Sequence, residues 1–126
     1  MAIPRKQAPT CPIEMTINVI AARWKAMIVY QLLEAERRSY GELRNLVEGV
    51  TDRVLTTQLA ELVADGVVSS RRNGRLVHYR LTAQGRELRP IFAAMKSWGE
   101  ARQAEQAQDL RRIEPEAGMD AGQEVR

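Results

Sequence analysis

The residues of this chain best suited to chemistry lie in two neighbouring stretches. VVSSRRNGRLVHYRL, residues 67–81, contains the run RRNGRLVHYR, which holds four arginines and no acid. Guanidinium groups along a hairpin suit phosphate, because each planar fork matches anionic oxygens and each neutralised phosphate releases a counterion. Arg71, Arg72 and Arg75 would neutralise phosphates or probe the narrower groove of a duplex. Just upstream, TDRVLTTQLAELVADG carries Thr51, Arg53, Thr56, Thr57 and Gln58. Such types read base edges: arginine fits guanine, glutamine fits adenine, and threonine donates a hydroxyl or lays its methyl on thymine. Arg38, Ser39 and Arg44 are further candidates for phosphate contact, through side chains and a helix N-terminus. A competing reading makes the hairpin arginines a solvated strand edge that blunts aggregation.

Composition bounds the rest. With 126 residues and 44% hydrophobic content, the chain suits one domain with a real core and is too short for two. The net charge of +3, with a pI near 9.4, permits a polyanionic partner without requiring one. One cysteine and one histidine exclude an internal disulfide and a zinc site of the usual ligand set, so no metal or cofactor is expected. No Gly-rich phosphate loop, nucleophile elbow or acid/base pair is evident, which argues against an enzyme. No run is long and apolar enough to span a membrane, and MAIPRKQAPTCP lacks the apolar stretch of a secretory signal; a cytoplasmic protein without membrane contact is expected.

Several elements must position these residues. Residues 1–10 have no periodic pattern and are expected to form a flexible arm, followed by a domain over 11–109. Ile13, Ile17 and Ile20 recur at helical spacing behind Pro12, which suits a first turn. WKAMIVYQLLEAE, apolar on most sides through Trp24, Met27, Ile28, Val29, Leu32 and Leu33, is expected to be the hub of the core. YGELRNLV makes a short helix with a Tyr40, Leu43, Leu46 and Val47 stripe; after the break EGVT, Thr51 caps a longer helix striped by Leu55, Leu59 and Leu62 that ends at Gly66. In that longer helix 100° per residue turns Arg53, Thr57 and Ala64 away from the leucines, with Gln58 nearer the core edge.

An Asn73-Gly74 pair between two β-prone runs predicts a hairpin, with Val77, Tyr79 and Leu81 on its packed face. Thr82 then caps a last helical region in which Leu88, Ile91, Phe92, Met95 and Trp98 form an apolar face; Pro90 predicts a kink or restart near Arg89. Tyr40, Trp24 and Trp98 are expected in the core. If helical through Gln108, this region spans about 40 Å at 1.5 Å per residue, more than a domain of this size needs, which points to packing on a second copy. Ile13, Ile17, Ile91, Met95 and Trp98 are the residues expected at such a two-fold interface; the competing reading has the five apolar residues of the last helix capping the protomer's own core. Residues 110–126 have no pattern and are expected to be a disordered tail. The fold class is therefore mainly α with a small β-hairpin wing (α+β): a winged helix-turn-helix binding double-stranded DNA as a sequence-specific regulator, or a winged-helix protein-interaction module without DNA binding.

CPIEMTINVIAARWKAMIVYQLLE, SYGELRNLVEGVTDRVLTTQLAELVADGVV, VHYRLTAQGREL and SWGE resemble, in the same order, the HxlR-type winged helix-turn-helix transcriptional regulators, relatives of the MarR group. The resemblance runs from Cys11 to Glu100. It implies a homodimeric bacterial regulator, by weight of the family a repressor, that puts residues 52–65 into the major groove of a palindromic operator and dimerises through its terminal helices. The wing departs from the pattern: it is shorter, lacks a proline pair, and reads Val77-His78-Tyr79 where the family has Val-Glu-Tyr. His78 has two readings, a pH-sensitive phosphate partner or a solvated side chain. Cys11-Pro12 matches a position that in the family often senses oxidants or electrophiles, and a thiol at a helix N-terminus near Arg5 and Lys6 favours thiolate. Against that sensor role stands a small thiol packed on its dimer mate; a small-molecule effector is the other option.

Overall fold

The computed structural model describes residues 11–124, with side chains described through residue 112; the arm expected over residues 1–10 lies outside the described residues. The elements are α1 (Pro12–Ile20), α2 (Arg23–Leu33), β1 (Arg38–Ser39), α3 (Tyr40–Leu46), α4 (Asp52–Ala64), β2 (Val68–Asn73), β3 (Leu76–Leu81), α5 (Ala83–Arg86) and α6 (Arg89–Glu124). The chain divides after Arg89 into two compact units, the first holding α1 to α5 and the sheet, the second the stretch from Pro90 onward.

Burial in the first unit follows the apolar stripes. Ile28, Val29 and Leu32 of α2 close over Leu43 of α3 and Leu55, Leu59 and Leu62 of α4, while Val67, Val68 and Leu81 carry the core beneath the sheet. Each such side chain contributes about 1.5–3 kcal/mol by leaving water. Helix ends fall where local chemistry satisfies orphan backbone groups. Ser39 Oγ accepts from the Glu42 N–H at 3.1 Å while the Ser39 N–H donates to Glu42 Oε1 at 2.8 Å, a complete capping box for α3. Thr51 Oγ1 accepts from the Val54 N–H at 3.2 Å and starts α4. Pro90 falls as the spacing predicts: α5 stops at Arg86 and α6 restarts at Arg89.

Several expectations are corrected. The sheet has three strands in the order β1-β3-β2, because Arg38 pairs with Tyr79 and Ser39 with His78; a strand of two residues is too short to show alternation. Asn73 pairs with Leu76, so the hairpin turn is Gly74-Arg75 rather than Asn73-Gly74. Positive φ falls on Gly74 alone (68°), the demand of a turn with glycine first, not of one needing positive φ at both positions. On α2, Met27 faces solvent and Lys25 is buried, reversing what hydropathy implies. Tyr40 and Trp24 are half-buried, and Trp98 is exposed, its ring covered on one side by the Arg102 guanidinium 4.7 Å from the centroid. Ile91 and Met95 are exposed too, which overturns the reading in which the last helix spends all its apolar residues on its own core; only Phe92 among these is buried. At the expected boundary at 109–110 the helix does not stop: α6 runs on to Glu124.

The tightest approach in the unit joins the end of α4 to α5. Gly66 (φ 83°) donates to Val63 O at 3.0 Å and Val67 donates to Leu62 O at 3.2 Å, a Schellman ending that turns the chain into β2. Thr82 receives this turn, its N–H donating to Val67 O at 3.0 Å and its Oγ1 to Gly66 O at 2.7 Å, while Gly85 N–H donates to Thr82 Oγ1 at 3.0 Å. A Cβ on Gly85 would stand 2.1 Å from the Val67 carbonyl oxygen, which no rotamer can relieve. Gly85→Ala is therefore expected to lower stability by about 3 kcal/mol, read as a lower urea midpoint at unchanged slope, whereas Gly99→Ala, which meets nothing within 4 Å, leaves the midpoint unchanged or raises it.

Candidate nucleic-acid interface

With Leu55, Leu59 and Leu62 pointing inward, the opposite side of α4 stays uncovered: Arg53, Thr56, Thr57 and Ala60 are all exposed. Arg53 has no ion pair or hydrogen bond among the described residues. Thr51 is exposed, but its oxygen serves the cap. Gln58 departs from its expected place: it is half-buried with Oε1 shut away from solvent and without a partner among the described residues, because its position lies on the leucine side of the helix. The amide is thus turned from the surface that Arg53 and Thr57 share.

A polar cluster ties the start of α4 to α3. Arg44 Nε donates to Asp52 Oδ1 at 2.8 Å, the Tyr40 hydroxyl lies 3.1 Å from the same oxygen, and it lies 3.2 Å from Thr56 Oγ1. These bonds hold the Asp52 carboxyl below its ordinary value, the Arg44 hydrogen bond leading and Tyr40 following. Neither Asp52 nor the Tyr40 hydroxyl was a site candidate, since an arginine and an aspartate eight residues apart make no periodic pattern and meet only when the helix-turn-helix closes. Arg38, expected at a phosphate, donates through Nε to Gln31 O at 2.9 Å and caps the end of α2. Ser39 has its oxygen in the capping box and keeps a hydroxyl proton to give.

On the wing, Arg71, Arg72 and Arg75 are exposed. Register separates them: Arg71 stands opposite His78 and Arg72 opposite Val77, so the two project to different faces of the ribbon, and Arg75 occupies the turn. Arg37, missed as a candidate, joins Arg71, Arg72, His78 and Arg80 around an open depression of about 890 Å³. Burial pushes the Tyr79 hydroxyl above its usual range, with Tyr40 adding to the shift and Arg72 opposing it. Tyr79 pairs with Arg38 and His78 with Ser39, so the strand that forms the wing adjoins the start of α3. Among the described residues, no group of three His, Cys, Asp or Glu could hold a metal ion, and no helix is long and apolar enough to cross a membrane.

The profile of the HxlR-like helix-turn-helix family matches residues 19–107. The chain belongs to this family. Similar proteins include the uncharacterized HTH-type transcriptional regulators YybR and YdeP of Bacillus subtilis (strain 168), each 40% identical, over 101 residues (78% of this chain and 78% of YybR) and 93 residues (71% and 72%) respectively. Among solved structures, the redox regulator HypR in its reduced form superposes with a TM-score of 0.69 at 36% identity, covering 78% of this chain and 99% of HypR. Its oxidized form gives 0.67 at 39% identity, covering 72% and 96%.

A carboxyl whose folded pKa is depressed adds stability that is complete above its unfolded value and vanishes as pH falls through the folded one. The stability difference between the native chain and Asp52→Asn, measured by urea unfolding, is expected to be constant above about pH 5 and to close as the pH drops below the ordinary value of 3.8. A difference that persists at acid pH would mean that the carboxylate charge is not what holds Arg44 and Tyr40.

Proposed function

We propose that this chain, a DNA-binding transcriptional regulator of the HxlR-like family, works in the cytoplasm as a homodimeric repressor that sets α4 of each protomer into the major groove of a palindromic operator. The observation that carries this is the uncovered side of α4, where Arg53, Thr56 and Thr57 are exposed beside an arginine-bearing wing, Thr56 keeping its contact with the Tyr40 hydroxyl. Arg53 is assigned to a base edge, the two threonines to bases or adjoining phosphates, and Arg71, Arg72 and Arg75 to the backbone and minor groove. Ser39 at the start of α3 and Arg44 in its last turn supply backbone contacts; Thr51, Arg38 and Gln58 act through the fold, by their caps and packing.

Two further features support the dimer and its control. Ile13 and Ile17 on α1 are exposed, α1 buries no residue, and Ile91, Met95 and Trp98 on α6 are exposed as well; apolar area of this kind is what a second copy covers. Two-fold pairing then presents the recognition helices to half-sites about 34 Å apart. Cys11, exposed at the N-cap of α1, stands beside that apolar stretch. The likeness to a redox regulator supports a thiol that responds to oxidants or electrophiles. Two Cys11 thiols from paired protomers would each give up a proton and an electron to an oxidant and form one disulfide, or a single thiol would take up an electrophile.

Gel retardation tests the reading. Duplex DNA selected from a fragmented genomic pool should bind with a constant that falls steeply as salt rises, and retardation without that slope, or none at all, would instead fit a protein-interaction module. Arg53→Ala should relax sequence preference at one position by about 1–3 kcal/mol, while Arg72→Ala should weaken every duplex alike. Diamide or a quinone should change the operator affinity of the native chain and leave Cys11→Ser unaffected. Equal responses from both would end the sensor role.

A further inference from the structure

The leading end of α4 poses a question of charge. A helix that must approach a polyanion places an acid, Asp52, in its first turn, exposed, and spends on it an arginine and a tyrosine hydroxyl. Helix capping does not require it, because Thr51 already receives the Val54 N–H and the Asp52 side chain caps no backbone group among the described residues. The donors are what mark the site. One carboxylate oxygen takes a guanidinium N–H at 2.8 Å and a phenol at 3.1 Å, the pairing of donors by which proteins grip a phosphate oxygen. The ion pair is open to solvent, with 42% of the Arg44 and 72% of the Asp52 side chain exposed, so an arriving phosphate can compete for the same donors.

We propose that Asp52 is a specificity-determining residue: its carboxylate stands in for a DNA phosphate at the leading end of α4 and keeps Arg44 and Tyr40 engaged until the helix is fully seated on its operator. The inference rests on the DNA-binding reading above. In a loosely docked, sequence-independent complex the Arg44 charge stays cancelled, so this end of the helix releases no counterion and gains nothing from backbone contact. On the operator, base contacts from Arg53 draw α4 into the groove, a phosphate replaces the carboxylate as acceptor, and Arg44 adds its charge only there. Tyr40 reports the same exchange to Thr56, because its hydroxyl touches both Asp52 and Thr56. The device suppresses binding to wrong sites at some cost to binding at the right one.

The test compares operator and unrelated duplex of equal length over a range of salt, with folding of each variant checked by thermal melting. Asp52→Asn should tighten unrelated duplex about tenfold and steepen its log–log salt slope by about 0.9 per protomer, while operator affinity changes less, so that the ratio of the two falls. Arg44→Gln, which needs no change at Asp52, should flatten the operator slope by about 0.9 per protomer and leave the unrelated-duplex slope as it was. Combining the two substitutions should cancel the gain on unrelated duplex. An unchanged or higher specificity ratio in Asp52→Asn, or equal flattening of both slopes in Arg44→Gln, overturns the proposal while DNA binding itself stands. Failure of the native chain to bind any duplex overturns both.

Discussion

The recognition surface depends on one backbone approach, that of α5 to the Val67 carbonyl. Val67 follows the Schellman ending of α4, so its position is the position of the helix terminus. The same carbonyl accepts from Thr82, which follows β3, so both strands of the wing leave from a point that α4 has set. Gly85 is what allows α5 to close on that point, since any side chain there would strike the carbonyl. The helix and the ribbon thus share a common origin, which this junction provides with three hydrogen bonds and a missing methyl group.

A second constraint sets the lengthwise position of α4. Lys25 of α2 is buried and pairs with Glu61 of α4 at 2.5 Å, whereas the pairs Arg44–Asp52 and Arg80–Glu36 lie in solvent. Leucine packing between α2 and α4 resists separation, yet a slide of one turn would bring similar side chains opposite one another. A buried ammonium tolerates no such slide, because its desolvation is offset only where the carboxylate meets it. The exposed pairs add little to stability by comparison. Their weight lies in which charges they leave free.

Much of this architecture was legible in the residues, for reasons that mark the boundary of what was not. Thr51, Gly66 and Pro90 act within one helical turn, so their chemistry is complete in the local sequence, and each ends or starts a helix where expected. The leucine stripe of α4 likewise needs only helical geometry to define an outer face. What escaped depends on partners distant in the chain. Arg38 and Ser39 become a strand because β3 presents an open edge, and Tyr40 becomes polar in role because Asp52 and Thr56 arrive beneath it. The helical period puts Gln58 near the core edge, but how far its Oε1 is shut from solvent depends on how closely neighbours pack, which periodicity does not measure. At Gly74 the hairpin was right, but its turn lies one residue later and is of a different kind, because the strand pairing, not the dipeptide, decides where the ladder ends.

The arginines show why a count of charge is a poor guide to a DNA-binding surface. Arg38 donates to Gln31 O and Arg89 to Leu33 O, so two of them satisfy carbonyls in the last turn of α2, where the helix dipole is negative. Arg86 does the same for Leu81 O at the end of β3. Arg44 is neutralised by Asp52 and Arg102 bonds Glu105. Arg53, Arg71, Arg72 and Arg75 have no such commitments among the described residues, and they lie on α4 and the wing. A net charge of +3 spread evenly would attract any polyanion weakly; the fold instead spends several arginines on the scaffold and leaves Arg53, Arg71, Arg72 and Arg75 uncommitted on α4 and the wing, with Arg37 and Arg111 also uncommitted among the described residues. An arginine held by a backbone carbonyl is fixed in place but keeps its charge and its remaining N–H donors, whereas a carboxylate such as Asp52 cancels the charge as well, so the two kinds of commitment differ in what they leave for a polyanion.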